Sequence, residues 1–269
     1  WQESVSGNSW SDLTNASTFT LTAAQEGLKV RAVITYTDAQ GISERVLTNP
    51  LSIPFMEARD VVVTSPIRQG YPGRTVGELR NSTAFAALKS DGSVVTWGNS
   101  GAGGNSTAVS AQLSSDVSQI FSTSIAFAAL KTDGSVVTWG NSSYGGDSTA
   151  VSAQLNSDVS QIFSSGRAFA ALKTNGSVVT WGDSSGGGNS SAVSTQLSSG
   201  VSQIFSTNIA FAALKTNGSV VTWGDSNYGG NSSSVASQLS SGVSQIFSTR
   251  GAFAALKANG SVVTWGDSS

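Results

Sequence analysis

The 269-residue chain has no cysteine and no histidine. Without cysteine there is no disulfide framework, and pairing gives no clue to compartment. Lacking both residues, it cannot assemble the usual zinc ligand sets or most nucleophile–base pairs. Charge is scarce: Asp, Glu, Lys and Arg make up 11% of the chain and the net charge is −2. No strong field therefore draws nucleic acid or an anionic membrane. No apolar run reaches membrane-spanning length, and no signal peptide is recognisable. The four prolines (Pro50, Pro54, Pro66 and Pro72) and every glutamate precede Ala84, and this shift near residue 75 predicts a domain boundary. The chain opens at Trp1 and stops in a Gly-Asp-Ser-Ser connector, which predicts a segment of a longer polypeptide.

What the chain does have is repetition. The stretch AFAALKSDGSVVTWG, Ala84 to Gly98, returns almost unchanged at Ala126, Ala168, Ala210 and Ala252, each time 42 residues on. A period in the range of about 20–50 residues is the mark of a solenoid or propeller. In each copy two apolar runs flank Asp-Gly (91–92, 133–134) or Asn-Gly (175–176, 217–218, 259–260), a strong hairpin signal with a two-residue type I′ turn. Counting outward from that turn pairs Leu88 with Val95 and Ala86 with Trp97 on one face. Phe85, Ala87, Val94 and Thr96 are left on the other. Both faces are largely apolar, as in a sheet covered on both sides. A two-stranded ribbon is marginal alone, so a third strand is expected at Val117–Phe121 and its copies from Val159, Val201 and Val243, with a weaker version at Val76–Leu79. The unit is then three strands and a Gly/Ser/Asn connector such as Asn99–Asn105. Serial small sheets of this kind are β-propeller blades; an open β-solenoid is the other arrangement.

The pattern V-x-x-I followed by AL-K-x-[DN]G-x-V-x-x-WG resembles the regulator-of-chromosome-condensation repeat. It is similar above all to the three-stranded version found in the second type of bacterial β-lactamase inhibitor protein. The resemblance runs from Val76 to the C-terminus and implies a propeller, seven-bladed in that family, with binding through blade loops. Two features depart from it: the family's usual His before the second strand is absent, and only five units are present.

Residues 1–53 read as β structure, with strands at Trp1–Glu3, Ser17–Leu21, Lys29–Thr37 and Ile42–Leu47 and turns at Ser6–Ser9 and Asp38–Gly41. Short strands at this spacing suggest a β-sandwich. The wording WQES, F-T-L-T and G-L-K-V-R-A-V-I-T-Y-T-D resembles the immunoglobulin-like modules of giant bacterial surface proteins, here truncated. Residues 54–75 form a linker or cap, with a short strand at Val61–Thr64 that pairs with the first blade, caps it, or is part of an ordered linker, and residues 76–269 form the repeat domain. The expected fold is thus all-β: five blades of three antiparallel strands behind a partial immunoglobulin-like sandwich.

Chemistry is sparse. The eight aspartates of the repeat region occupy turns and connectors, where Asp serves the backbone. Tyr144-Gly-Gly-Asp147 matches one fragment of a calcium-binding nonapeptide, but the tandem form is missing. No catalytic residue, metal or cofactor is expected. Trp97, Trp139, Trp181, Trp223 and Trp265 read as blade core. Comparison of the copies singles out two variable spots. One is the turn before the second strand, carrying Ile125, Arg167, Ile209 and Arg250. The other is the connector after Trp-Gly, carrying Tyr144 and Tyr228. Loop drift explains these residues, and so does a recognition surface on a rigid scaffold. The two spots adjoin different strand ends and need not share a face. The function expected is a non-catalytic structural or adhesive segment of a large extracellular or cell-surface bacterial protein. Its partners would be further copies of itself, or a surface protein or glycan, with no nucleic acid and no membrane insertion. The alternative is a propeller that binds one protein through its variable loops.

Overall fold

In a computed structural model of the protein, residues 81–267 are described throughout. Ahead of them the description covers only the strand segments 2–4, 11–12, 29–31, 33–37, 43–47, 51–52 and 61–62. The chain divides into two compact units, Trp1–Val61 and Val62–Ser269.

The first unit contains β1 (Gln2–Ser4), β2 (Ser11–Asp12), β3 (Lys29–Arg31), β4 (Val33–Thr37), β5 (Ser43–Leu47) and β6 (Leu51–Ser52). They form a sheet of order β2-β1-β3-β6 and a separate β4–β5 hairpin with Thr37 opposite Ser43. The strand expected over Lys29–Thr37 is thus divided between two sheets. The strand expected at Ser17–Leu21, both expected turns and the weak copy at Val76–Leu79 lie outside the described residues.

The repeats build five three-stranded antiparallel sheets. The first has the order β7 (Val61–Val62), β8 (Ala84–Lys89), β9 (Val94–Gly98). The next four are β10 (Val117–Ser122) to β12 (Val136–Gly140), β13 (Val159–Ser164) to β15 (Val178–Gly182), β16 (Val201–Ser206) to β18 (Val220–Gly224), and β19 (Val243–Ser248) to β21 (Val262–Gly266). Their middle strands β11, β14, β17 and β20 begin at Ala126, Ala168, Ala210 and Ala252. The first strands β10, β13, β16 and β19 each carry a bulge: in β10 the pairing passes from Val117–Lys131 to Gln119–Leu130, and the extra residue, Ser118, donates its hydroxyl to the Leu130 carbonyl at 2.9 Å.

The hairpin register differs from the expectation by one residue. The Lys89 amide donates to the Ser93 carbonyl and the Gly92 amide to the Lys89 carbonyl, so the loop holds three residues, Ser90-Asp91-Gly92. A type I′ turn needs positive φ at both central positions, but here only Gly92 has it, at 77°. Asp91 instead accepts from the amide and hydroxyl of Ser93 at 2.9 and 2.6 Å. Leu88 consequently faces Val94, Ala86 faces Thr96, and Phe85 faces Trp97. A slip of one residue turns every β9 side chain over. Trp97 and Val95 therefore share a face with Phe85 and Ala87, not with Ala86 and Leu88.

That exchange decides how sheets stack. One face of each sheet (Ala126, Ala128 and Leu130 in the second) packs against the aromatic face of the next (Phe169, Ala171, Val179 and Trp181), with Leu155 from the intervening segment between them. Four such clusters join the five sheets. Within each aromatic face the rings stack, with Phe169 and Trp181 centroids 5.2 Å apart. Trp139, Trp181, Trp223 and Trp265 are buried, but Trp97 is 43% exposed, against its expected place in the core. Among the described residues of the second unit no sheet precedes the first blade to pack on that ring as the second packs on the third. At the other end Val262 is 61% exposed, so the first and last sheets do not bury one another.

Candidate functional site: the variable rim

The two variable spots meet at one end of the sheets. Strand one runs up to the turn, strand two returns to the hairpin, and strand three runs up again into the connector. Buried Thr123 joins them: its hydroxyl accepts from the Ala126 amide at 3.0 Å and donates to the Tyr144 carbonyl at 3.1 Å. Ser165 does the same between Ala168 and Gly186, and Thr207 between Ala210 and Tyr228. Backbone bonds reinforce the join, from the Asn141 amide to the Ile125 carbonyl and from Asp183 to Arg167, both at 3.0 Å. The expectation that the spots need not share a face gives way to a single rim.

Along this rim the repeats are tied by their main chains. The Ser124 amide donates to the Gly166 carbonyl at 3.0 Å, Gly166 to Asn208 at 2.6 Å, and Asn208 to Arg250 at 2.8 Å. Only backbone atoms take part, so the side chain there is free to differ without loss of the ladder. Serine, glycine, asparagine and arginine can follow one another for that reason.

The variable residues divide by exposure. Tyr144 and Ile125 are half-buried, Tyr144 against the cluster between the second and third sheets and Ile125 against the one before it. Tyr228 packs likewise against the last cluster, and Ile209 is half-buried. Arg167 and Arg250 are exposed. The Arg167 guanidinium carbon lies 5.8 Å from the centroid of the Tyr144 ring, across the boundary between two repeats, within cation–π range. A Cβ on Gly186 would lie 2.7 Å from that of Arg167, so the missing side chain at 186 accommodates the arginine. The Ser185 hydroxyl above all holds Asp183 below the usual carboxylate range; partial burial opposes it, and the Gly186 amide and the charge of Arg167 add to the lowering.

A feature that sequence reasoning missed lies just behind the rim. In each connector an αL glycine ends a short helical turn: Gly103, Gly145 and Gly229 after Ser100–Ala102, Ser142–Tyr144 and Ser226–Tyr228, with Gly187 equivalent. Its carbonyl accepts the indole N–H of the next repeat's tryptophan at 3.0 Å in all four junctions. The signal was present in the unchanging Gly-Gly of each connector, but the 36-residue separation hides the partner.

Elsewhere the surface offers little chemistry. Three shallow grooves of about 440, 560 and 560 Å³ recur at the outer strands, lined by hydroxyl groups and one lysine each. Those lysines are occupied: Lys131, Lys173 and Lys215 donate to the carbonyls of Gln112, Gln154 and Gln196. Among the described residues no three Asp, Glu, His or Cys gather as a metal site. No helix among them is long and apolar enough to cross a membrane.

No protein-family model matches the sequence, and no curated protein matches it. Solved structures do resemble it. Human WBSCR16 shares 19% identity, with 68% of this chain and 59% of that one covered at a TM-score of 0.43. Prp20p from Saccharomyces cerevisiae, described with its binding to Gsp1p and histones, shares 16% over 70% of this chain and 56% of its own, at 0.44. The computationally designed Ika8 protein shares 11%, covering 68% and 55%, at 0.32. The chain spans less than two thirds of the length of each.

Proposed function

We propose that the repeat unit is a non-catalytic scaffold of propeller-type blades of the chromosome-condensation-regulator kind, which binds a protein partner through its variable rim. One observation carries this reading: the large side chains that differ between otherwise uniform repeats (Ile125, Tyr144, Arg167, Ile209, Tyr228 and Arg250) collect on one rim, where Arg167 and Arg250 stand exposed. Arginine and tyrosine are favoured anchors at protein interfaces. A photo-crosslinker placed at Ser143 or Asn227 on the rim should capture the partner, whereas one at Asn175 or Asn217 on the opposite hairpin tips should not. Arg167→Ala with Arg250→Ala should abolish capture without lowering the melting temperature. Equal capture from both ends would refute a rim site.

A second reading, a structural or adhesive segment of a large extracellular or cell-surface bacterial protein, is supported by the near-identity of the repeats. The low charge and the Ser/Thr/Asn-rich connectors suit that location. The immunoglobulin-like reading of the first unit belongs with it and rests on the residue pattern of 1–53.

A further inference from the structure

Three of the five hairpin tips carry Asn-Gly: Asn175-Gly176, Asn217-Gly218 and Asn259-Gly260, each asparagine exposed. Asparagine is a thermolabile residue, and a following glycine, with no Cβ, leaves the next main-chain nitrogen open to react. That nitrogen can attack the side-chain carboxamide. The new N–Cγ bond closes a five-membered succinimide, and the bond from Cγ to the side-chain nitrogen breaks. Ammonia leaves, taking the glycine amide proton through water. A second water then opens the ring to aspartate or isoaspartate. An amide and a water thus become a carboxylic acid and ammonia, with nothing oxidised or reduced.

The folded tip holds the reacting atoms apart. Gly176 donates its amide to the Lys173 carbonyl at 2.9 Å, as Gly218 does to Lys215 and Gly260 to Lys257. A bond from the fourth residue to the first closes a β-turn, and none of the three asparagines has positive φ, so the turn is type I with asparagine third. In that position ψ is near zero. The glycine nitrogen then eclipses the asparagine's own nitrogen and points away from Cβ, whereas the succinimide needs it beside Cβ in one ring. The proton that this nitrogen must shed is held by the lysine carbonyl. The carboxamide oxygen is held as well: it accepts the Ser177 amide and hydroxyl at 2.9 and 2.7 Å, and Ser219 and Ser261 repeat the arrangement. Ring closure therefore requires the turn to break.

The first two repeats show the product in place. Asp91 and Asp133 occupy the asparagine position and accept the same two bonds from Ser93 and Ser135. Lys89 pairs with Asp91 at 3.2 Å, and Lys173, Lys215 and Lys257 stand at the matching place in their loops. We propose that Asn175, Asn217 and Asn259 are deamidation sites gated by their own turns: each converts only while its hairpin is open, and an aspartate product lets the hairpin close again. Isoaspartate carries the main chain through Cβ and Cγ, lengthens a loop closed at three residues, and leaves the hairpin open. The sites lie at the hairpin ends, opposite the rim, so the inference is independent of what the rim binds.

Mass spectrometry of the intact chain tests it, after incubation in mildly alkaline buffer with and without urea and digestion in acid. The unfolded chain should convert at all three tips. The folded chain should convert at least about tenfold more slowly, in proportion to how rarely a tip opens. Asn217→Asp should melt with the wild type. Refolded chains fractionated by product should regain that melt with aspartate and fall short of it with isoaspartate. Equal rates with and without urea overturn the gate, and no conversion in urea overturns the sites. A lowered melt for Asn217→Asp, or a wild-type melt for the isoaspartate fraction, overturns the assignment of the products.

Discussion

The indole N–H of Trp181 donates to the carbonyl of Gly145 at 3.0 Å, across the junction between the second and third sheets. The same glycine, held at φ 94°, lies against the Phe169 ring, where a Cβ would come within 2.6 Å of Cδ2. One residue thus satisfies the tryptophan and seats the phenylalanine beside it.

Emptying this site should be costly only where it is filled. Trp139→Ala removes a buried ring with its hydrogen bond and should lower stability by about 3–5 kcal/mol. Trp97→Ala, at a ring already 43% exposed, should cost less than about 1.5 kcal/mol, below the value of a fully buried side chain. Urea midpoints of the two variants check the difference, and equal losses would refute it.

The glycine should be as demanding as the ring. Gly145→Ala combines a left-handed backbone with a clash against Phe169 and should cost about 3 kcal/mol. Gly260→Ala also sits at positive φ, 84°, but its Cβ would meet nothing within 4 Å, so the expected loss is the backbone share, about 1–2 kcal/mol. Thermal melts of both variants separate the two contributions.

The repeats themselves suggest a stabilising change. Asp116 and Asp158 stand at φ 63° and 64°, where the fourth and fifth sheets open with Gly200 and Gly242 at 72° and 74°. Asp158→Gly relieves that backbone and should raise stability by about 1 kcal/mol. A Cβ at Gly200 would have only an ordinary contact, 3.5 Å from the Lys215 side chain, so Gly200→Asp should lose a similar amount.

Acid should loosen two of the hairpin tips and spare three. The hydroxyl and amide of Ser93, then Lys89, bring Asp91 down to about 2, and Ser135 lowers Asp133 in the same way. A carboxyl with a lowered folded pKa stabilises fully above its ordinary value of 3.8, and that contribution is lost as pH falls through the folded value. The amide resonances of Ser93 and Ser135 should therefore move as pH drops from about 4 to about 2. Asn175, Asn217 and Asn259 accept the same bonds from Ser177, Ser219 and Ser261 without a proton to gain, so those amides should stay.

Most of each sheet was legible before any coordinates, and the site was less so. Asn-Gly and Asp-Gly between apolar runs marked the hairpins, and Val117–Phe121 marked the third strand one residue short of its end at Ser122. The turn differs from the expected one because Ser90 belongs to the loop and not to the strand. A dipeptide cannot say whether two or three residues close a loop, and Asp91 bonds Ser93 through its side chain rather than adopting positive φ. Phe85 opposite Trp97, two large rings in one register, was the available clue. The variable residues were found by comparing copies, but their meeting on one rim depended on Thr123 bonding the Tyr144 carbonyl 21 residues away.

The sequence by itself determined the 42-residue period, the strands and the positions of the turns, because glycine dihedrals and apolar runs act over a few residues. Tertiary structure alone decided which face Trp97 occupies, which carbonyl holds each buried tryptophan, and that the variable residues share a rim. Those outcomes arise only when one sheet is laid on the next, bringing together atoms some 36 residues apart that no local preference connects.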